Sequence, residues 1–293
     1  MRMGERASQG KSLGSLAVVL CLSFALAHAV VVNSPTRLEA AVLASGVYSV
    51  RFARFELFAV SPTLVKALAG SSVVLLPHNE DWGGLIFSAG SRCELRVGED
   101  FATANSEQFQ WLLTLARGAC LPFAIAGALF ARAFARELFD SEWSGFCGLL
   151  LWCIEPNIFA HSALITNDVA CSAFGLGATW LFWRWLKEPT WERAGIAGLM
   201  FGLAQLTKMS WLMLFGLWPL LWLLWLWLEP KRNCSNSGSL PSGASECGRE
   251  GSSQMAEAAA IALPLGASWR TQLLATVRHA IGGAVCDEFG LCL

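Results

Sequence analysis

Three ionisable side chains lie close together in a segment between two apolar parts of the chain. The segment 155–169, EPNIFAHSALITNDV, contains Glu155, His161 and Asp168, and Asp168 opens a long hydrophobic run. An ionisable residue at the edge of a membrane-type helix is costly, so it usually has a functional task. In one continuous helix, His161 and Asp168 would stand about 40° and 20° around the axis from Asn157. A solvated polar stripe would explain any one of them, but together they predict the wall of an outward-facing polar cavity.

A fourth candidate residue, Lys208, follows the residues LAQLT at the end of another apolar run. An ammonium group in this position can extend to lipid headgroups, which is the simpler interpretation. It can also neutralise a phosphate in the outer leaflet of the membrane. A carboxylate, an ammonium group and a broad apolar loop nearby indicate a reaction on a lipid-linked phosphate.

The composition places these residues in an integral membrane protein. The chain has 293 residues, of which 55% are hydrophobic and only 15% charged, and its mean hydropathy is +0.49. A soluble domain is usually about 25% charged. The net charge of −1 predicts no nucleic-acid partner.

Six apolar segments approach the length of about 20 residues that a bilayer span needs. They are Ser12–Val32, Phe109–Ala131, Trp143–Cys153 with a continuation towards Phe159, Leu164–Trp185, Ala194–Leu206 and Ser210–Leu228. Lys and Arg concentrate in the connections that this topology places inside, which predicts that both ends are cytoplasmic. The prediction is an all-α integral membrane protein with about six transmembrane helices. Arg117, inside the second segment, does not fit the pattern, and a cleaved signal peptide is the alternative for the first segment.

The remaining segments define the domain organisation. The predicted parts are an N-terminal tail with the first helix (1–32), an external loop with amphipathic helices (33–108), helices two to six (109–232), and a cytoplasmic linker with a weakly structured or truncated C-terminal segment (233–293). In the external loop, Ala40–Val60 is predicted to be amphipathic and Ser61–Pro77 to lie along the membrane surface. The Gly198–Gly202 spacing predicts close packing of two helices.

Two long stretches of the sequence resemble the GT-C superfamily of membrane glycosyltransferases. EPNIFAHSALITNDV and LFWRWLKEPTWERAGIAGLMFGLAQLTKMSWLML are most similar to bacterial dolichyl-phosphate-mannose–protein mannosyltransferase-like proteins. The shared features are A-H and T-x-D at the start of the fourth helix and L-T-K at the outer end of the fifth. The stretch NSPTRLEAAVLASGVYSVRFARFELFAVSPTLVKALAG resembles the first external loop of that family, and the whole resemblance runs from Asn33 to Trp227.

The resemblance implies transfer of a sugar from a polyprenyl-phosphate carrier to an acceptor hydroxyl on the external side. It implies catalytic roles for Glu39 and Asp168, and substrate binding by His161, Asn157 and Lys208. It implies no cofactor and no metal site, although a divalent cation stays open. The expected partners are the carrier-linked sugar and the lipid bilayer, with an unidentified acceptor. The expected location is multi-pass in the cytoplasmic (inner) membrane.

One position departs from the family pattern. The family has an acidic Asp-Glu pair in the first loop, whereas this chain has Leu38 in the Asp position and retains Glu39. A leucine cannot accept a proton, so an impaired transferase is expected. The family is also usually longer, with several more spans, so a truncated transferase is a further expectation. The alternative is a non-catalytic membrane scaffold that binds the lipid carrier or partner proteins. A small transporter is less favoured, because no internal repeat of the helix pattern is evident.

Overall fold

The computed structural model describes residues 2–85 and 92–236, and it describes side chains at 13–85 and 92–227. These residues form α-helices and no strand, which confirms the all-α class. The helices are α1 (Arg2–Val32), α2 (Arg37–Phe52), α3 (Thr63–Val74), α4 (Cys93–Ala104), α5 (Phe109–Phe139), α6 (Glu142–Ile154), α7 (Pro156–Ser162), α8 (Asn167–Lys187), α9 (Trp191–Gln205) and α10 (Leu214–Asn236). A 3₁₀ helix, Met209–Met213, precedes α10.

Three stretches of the described chain are long and apolar enough to cross a membrane, namely Leu13–Val32, Phe109–Phe139 and Met209–Trp227. They coincide with the first, second and sixth predicted spans, and they confirm the integral membrane class. The other three predicted spans are helical but shorter or more polar. α6 has 13 residues, or about 20 Å, against a bilayer core of about 30 Å. The total of six crossings therefore remains a prediction.

α1 and α5 run antiparallel. Near the start of the apolar part of α1, Ser15 accepts a hydrogen bond from Arg132 near the end of α5 (3.1 Å). At the other end, the carbonyl of Val30 accepts one from Arg117 (3.2 Å). The two helices therefore define two edges of the helical bundle. We call them the Ser15 edge, after Ser15 in α1, and the Asn33 edge, after Asn33, which directly follows the C-terminus of α1.

α8 runs in the same direction as α5. The ring of Phe123 contacts Phe174 (5.6 Å between centroids), and Phe130 contacts Trp180 further along both helices (6.1 Å). α8 therefore begins at the Asn33 edge and ends at the Ser15 edge, so Asp168 and Lys187 lie at opposite edges. The charged groups at the two ends of α8 are therefore far apart.

α2 is buried on almost all sides, which the amphipathic pattern predicted for Ala40–Val60 did not indicate. Every residue from Glu39 to Ser49 is buried. The reason is close backbone contact: a Cβ atom at Gly46 would collide with the Lys66 carbonyl of α3, and one at Gly70 would collide with the backbone of Gly46. Glycine at these crossings lets the neighbouring helices enclose α2.

The segment around Glu155 is broken into separate helices, so the continuous helix on which the predicted angles of His161 and Asp168 depended does not form. α6 ends at Ile154, Pro156 begins the short helix α7, and α8 starts only at Asn167. Proline is tolerated in the first turn of a helix but disrupts a helix interior, so a new helix starts there. Between α7 and α8, the N–H of Ile165 donates to the Glu39 carboxylate (3.1 Å) instead of to a helical carbonyl. The predicted third span towards Phe159 is therefore wrong in its C-terminal part.

The Gly198–Gly202 pattern does not mark a helix–helix contact within the described residues. A Cβ atom at either glycine would have no heavy atom within 4 Å outside its own helix surroundings. The prediction of close packing at this site is therefore wrong for the described part of the chain. The predicted linker from residue 233 begins inside α10, and the rest of the linker and the C-terminal segment lie outside the described residues.

Candidate functional site

Asp168, Lys208 and His161 form a charged cluster at the Asn33 edge, which we call the Asp168 cluster. The Lys208 Nζ atom donates to Asp168 Oδ1 (3.1 Å). His161 Nδ1 lies 3.7 Å from the other carboxylate oxygen, Oδ2. All three side chains are about half-exposed, so the cluster is open to a ligand. The predicted meeting of these residues occurs although the helix between His161 and Asp168 is interrupted.

The ends of two helices position the cluster. Asp168 lies in the first turn of α8, where the partial positive charge of the helix N-terminus favours a carboxylate. Lys208 follows α9 in extended backbone and precedes the 3₁₀ helix. Within that 3₁₀ helix, Trp211 Nε1 donates to the carbonyl of Cys171 in α8 (3.1 Å). The Lys208 segment is therefore held against the same turn of α8 that carries Asp168.

The loop between α2 and α3 also contacts this region. Ser61 Oγ accepts a hydrogen bond from Asn167, the residue before Asp168 (2.9 Å). The Leu64 N–H donates to the carbonyl of Leu206 near the end of α9 (3.1 Å). The loop thus connects the two helix ends that carry Asp168 and Lys208.

Lys66 holds this loop from the interior. Its side chain is fully buried, and its ammonium group donates to the carbonyls of Leu57 and Phe58 at 3.1 Å each. Burial lowers the pKa of Lys66 below the ordinary lysine value. Phe58 has a left-handed backbone conformation, with φ of 57°, which is strained for a bulky residue. The two hydrogen bonds from Lys66 help to hold the loop in that conformation.

Glu39 forms a buried bidentate ion pair with Arg117. The side chains are 1% and 0% exposed, and two parallel hydrogen bonds of 2.7 Å join them. Arg117 also donates to the carbonyls of Val30 (3.2 Å), Asn33 (2.7 Å) and Ser34 (3.0 Å). All five guanidinium N–H donors therefore have partners, which explains how an arginine is accommodated in an apolar helix.

The remaining contacts of Glu39 occupy its carboxylate. Its oxygens also accept from the Thr36 N–H (3.1 Å), the Thr36 hydroxyl (3.0 Å) and the Ile165 N–H (3.1 Å). A carboxylate has about four lone-pair sites, so these donors leave no free site for an acceptor proton. The sequence predicted that Glu39 acts as a base. In this conformation, however, Glu39 is buried and fully hydrogen-bonded.

The structure brings together three of the five predicted site residues. Glu39 is joined to the segment before α8 through Ile165, but its side chain is closed off from the open Asp168 cluster. Asn157 donates instead to the Glu155 carboxylate (2.9 Å). Among the described residues, no group of three or more His, Cys, Asp or Glu side chains could hold a metal ion.

The sequence alone did not identify Arg117 and Lys66 as structural residues. A lone arginine within an apolar run requires a buried partner, and Glu39 is one of the acids on the same predicted side. The residues Thr36-Arg37-Leu38-Glu39 are also a capping-box pattern, and the structure forms that box at the start of α2. Both signals could have indicated that Glu39 has a structural task.

The geometry describes an all-helical integral membrane protein with an open acid–ammonium cluster at one membrane edge. The sequence pattern of the family described as dolichyl-phosphate-mannose-protein mannosyltransferase matches residues 113–239. The match confirms the resemblance over that part of the chain and supports a membrane glycosyltransferase of the GT-C type. It includes Asp168 and Lys208 but not Glu39. No curated protein and no solved structure matches the chain.

Proposed function

We propose that the chain transfers a sugar from a polyprenyl-phosphate carrier to an acceptor hydroxyl at the Asn33 edge. The observation that carries this proposal is the contact of Asp168 with Lys208, two half-exposed groups at the edge of helices that can span a membrane. Both lie within the residues that match the mannosyltransferase family. An isoprenoid carrier places its phosphate at this depth of the bilayer, within reach of a fixed ammonium group.

The reaction would be a single displacement at the anomeric carbon of the sugar. The acceptor hydroxyl loses its proton to the Asp168 carboxylate and forms a bond to the anomeric carbon. The bond from that carbon to the phosphate oxygen breaks, and its electron pair stays on the phosphate. Lys208 stabilises the negative charge of the leaving phosphate. His161, which faces the second oxygen of Asp168, orients the carboxylate, and Asn157 on α7 is proposed to contact the sugar.

The ion pair between Asp168 and Lys208 would open during this cycle. In the unliganded arrangement the ammonium group contacts the carboxylate at 3.1 Å. A phosphate that binds Lys208 competes with Asp168 for the ammonium group, because both are anionic acceptors of the same donors. Binding of the donor would thereby release the carboxylate to accept a proton from the acceptor.

We assign Glu39 a positioning role instead of the base role that the sequence predicted. Its bond to the Ile165 N–H fixes the segment that leads into Asp168, and its pair with Arg117 fixes the start of α2. The neighbouring Leu38, about half-exposed, stands where the family has an acid. A hydrogen-bonded Glu39 together with Leu38 in the acid position also favours the alternative proposal, a scaffold that binds the lipid carrier without transferring the sugar.

Transfer of labelled sugar in proteoliposomes tests the proposal. Asp168→Asn should lower kcat by about 10²–10⁴-fold, the usual contribution of a positioned base. Lys208→Gln should weaken binding of polyprenyl phosphate as well as turnover. The matched controls are Glu188→Gln and Arg193→Gln, which break an ion pair of 2.6 Å at the Ser15 edge and should leave transfer unchanged.

Substitution at Leu38 distinguishes the proposed transferase from the alternative, a non-catalytic scaffold. Leu38→Asp places a second carboxylate in the first turn of α2 and should increase transfer if the rest of the site works. No transfer by either form, with carrier binding that still depends on Lys208, would support the scaffold. Transfer that is insensitive to both Asp168→Asn and Lys208→Gln would show that the Asp168 cluster is not the site.

A further inference from the structure

A second polar cavity lies at the Ser15 edge, at the opposite end of α8 from Asp168. Its volume is about 530 Å³, and it lies between the C-terminal parts of α5 and α8. Its charged lining residues are Arg132, Arg136, Glu137, Asp140, Arg184 and Lys187. We call it the basic pocket. It shares no residue with the Asp168 cluster, so it has no part in the proposed transfer.

The cations of the basic pocket outnumber the acids that contact them. On the α8 side, Glu137 is shared by Lys187 (2.6 Å) and Arg184 (3.8 Å). Trp180 Nε1 also donates to Glu137 (2.8 Å), which keeps this carboxylate in place. The Arg184 and Lys187 side chains are 41% and 37% exposed, and one carboxylate cannot neutralise both of these cations.

The α5 side repeats this arrangement. Glu142, at the start of α6, is shared by Arg132 (3.2 Å) and Arg136 (3.0 Å). Even with Asp140 included, four positive charges face three negative ones, and Asp140 itself is exposed. Each guanidinium group has five N–H donors, more than its contacts with these carboxylates use. An anion with several acceptor oxygens would complete this set.

The surroundings of the pocket indicate that the anion belongs to a lipid. α5 is long and apolar enough to span a membrane, and the pocket lies at its end. Leu138, Phe139 and Trp143, next to the pocket in sequence, are exposed apolar side chains. Exposed apolar groups beside a basic cavity at a helix end provide contacts for acyl chains and for a headgroup together.

We propose that the basic pocket binds the phosphodiester headgroup of an anionic membrane lipid. Arg136 and Lys187, which lie nearest the C-terminal ends of α5 and α8, contact the phosphate oxygens. Arg132 and Arg184, about one turn earlier on the same helices, add positive potential. The alternative is that the charges only neutralise one another and the carbonyls at the ends of α5 and α8. That alternative predicts no preference among lipids.

Native mass spectrometry of the full chain in detergent tests the proposal. The probes are phosphatidylglycerol, phosphatidylcholine with the same acyl chains, and soluble glycerol phosphate. A surface cation contributes about fivefold to the binding of an anionic lipid, so Arg136→Gln with Lys187→Gln should weaken phosphatidylglycerol binding roughly thirtyfold. The charge-keeping double variant Arg136→Lys with Lys187→Arg should retain most of it. Arg37→Gln removes an exposed cation at the Asn33 edge, paired with Glu99, and should change nothing.

The outcomes separate the possible ligands. If phosphatidylcholine binds as tightly as phosphatidylglycerol, or if the Gln double variant keeps its affinity for phosphatidylglycerol, the proposal is overturned. The remaining explanation is then that the charges of the pocket only neutralise one another. Glycerol phosphate that binds as tightly as the lipid would show a free-phosphate site and overturn the lipid assignment. Far-UV circular dichroism establishes that each variant is folded, and the charge-keeping variant keeps the test decisive if the Gln variant unfolds. Sugar transfer is not a readout here, so failure of the proposed function would leave this result intact.

Discussion

Arg117 and Glu39 form the most deeply buried charged contact described in the chain. Taking two ions out of water costs several kcal/mol each, and their attraction compensates only with good geometry and further hydrogen bonds. Here the geometry is bidentate, and every donor of the arginine is used. The pair joins α1, α2, α5 and the segment before α8 at one point. At the residue scale, the pair also contacts the segment that leads into Asp168, through the Ile165 N–H.

We predict that Glu39→Gln strongly destabilises the protein. It leaves the Arg117 guanidinium buried without a counter-charge, which typically costs about 3–5 kcal/mol. Thermal unfolding of the detergent-solubilised chain, followed by circular dichroism, measures the effect. The double variant Glu39→Leu with Arg117→Met should recover part of the loss, because it removes both charges.

The control for this prediction is Arg37→Gln. Arg37 forms an exposed pair with Glu99 at 2.6 Å, and exposed pairs contribute about 0–1 kcal/mol. A Glu39→Gln protein that unfolds at the same temperature as Arg37→Gln would contradict the structural role assigned to Glu39.

At the scale of the helices, the crossing of α2 with α3 and α4 decides how the first loop is built. Gly46 and Gly70 bring the backbones of α2 and α3 into contact, and Gly98 of α4 lies against the backbone of Ala40 and Ala41. These contacts bury α2 from Glu39 onwards and present its first turn to the segment before α8. The close approach needs glycine because a Cβ atom would overlap with main-chain atoms that cannot move independently.

We predict that Gly70→Ala lowers stability by about 1–3 kcal/mol, the usual cost of overpacking a tight contact. The added methyl group would collide with the backbone of Gly46, so the two helices must separate. The matched control is Gly198→Ala in α9, where a Cβ atom meets nothing within 4 Å. That change should be neutral or stabilising, by up to about 1 kcal/mol, because alanine favours a helix. Equal midpoints of thermal unfolding for the two variants would argue against the close crossing.

At the scale of the whole molecule, the helix directions place the Asp168 cluster and the basic pocket at opposite edges. The contacts of Arg117 with Asn33 and of Arg132 with Ser15 define those edges. From the excess of Lys and Arg in the predicted inner connections, we propose that the Ser15 edge faces the cytoplasm. Sugar transfer would then occur on the external side, and the lipid headgroup would bind on the cytoplasmic side.

We predict that a cysteine at Glu107 is labelled only from outside and a cysteine at Glu192 only from inside. Gln110, near Glu107, donates to the Asn33 carbonyl (3.3 Å). Arg193, next to Glu192, donates to the Arg184 carbonyl (3.3 Å). The measurement is labelling of Glu107→Cys and Glu192→Cys by a membrane-impermeant maleimide in a chain without native cysteines. Labelling of both positions from the same side would refute this topology.

The sequence by itself indicated the class, and it predicted three residues that meet in the Asp168 cluster. Long uncharged runs require a membrane, because only there are so many exposed apolar side chains stable. The helices α5 and α8 begin within three residues of the predicted positions, and α1 ends at the predicted Val32, although it begins ten residues before the predicted Ser12. The contact of Asp168 with His161 and Lys208 was predictable, because spans that alternate in direction bring their outer ends to one edge.

Only the tertiary structure decided the roles of Glu39 and Arg117. A sequence reports that an acid and an arginine exist, but 78 positions separate them, and their pairing depends on how α2 enters the bundle. The same holds for Gly46 and Gly70, whose contact requires two helix axes to cross at those residues. Conversely, the Gly198–Gly202 spacing predicted a contact that the described residues do not make. Local patterns specify which helices form, whereas long-range packing specifies which charge is buried and which remains free to react.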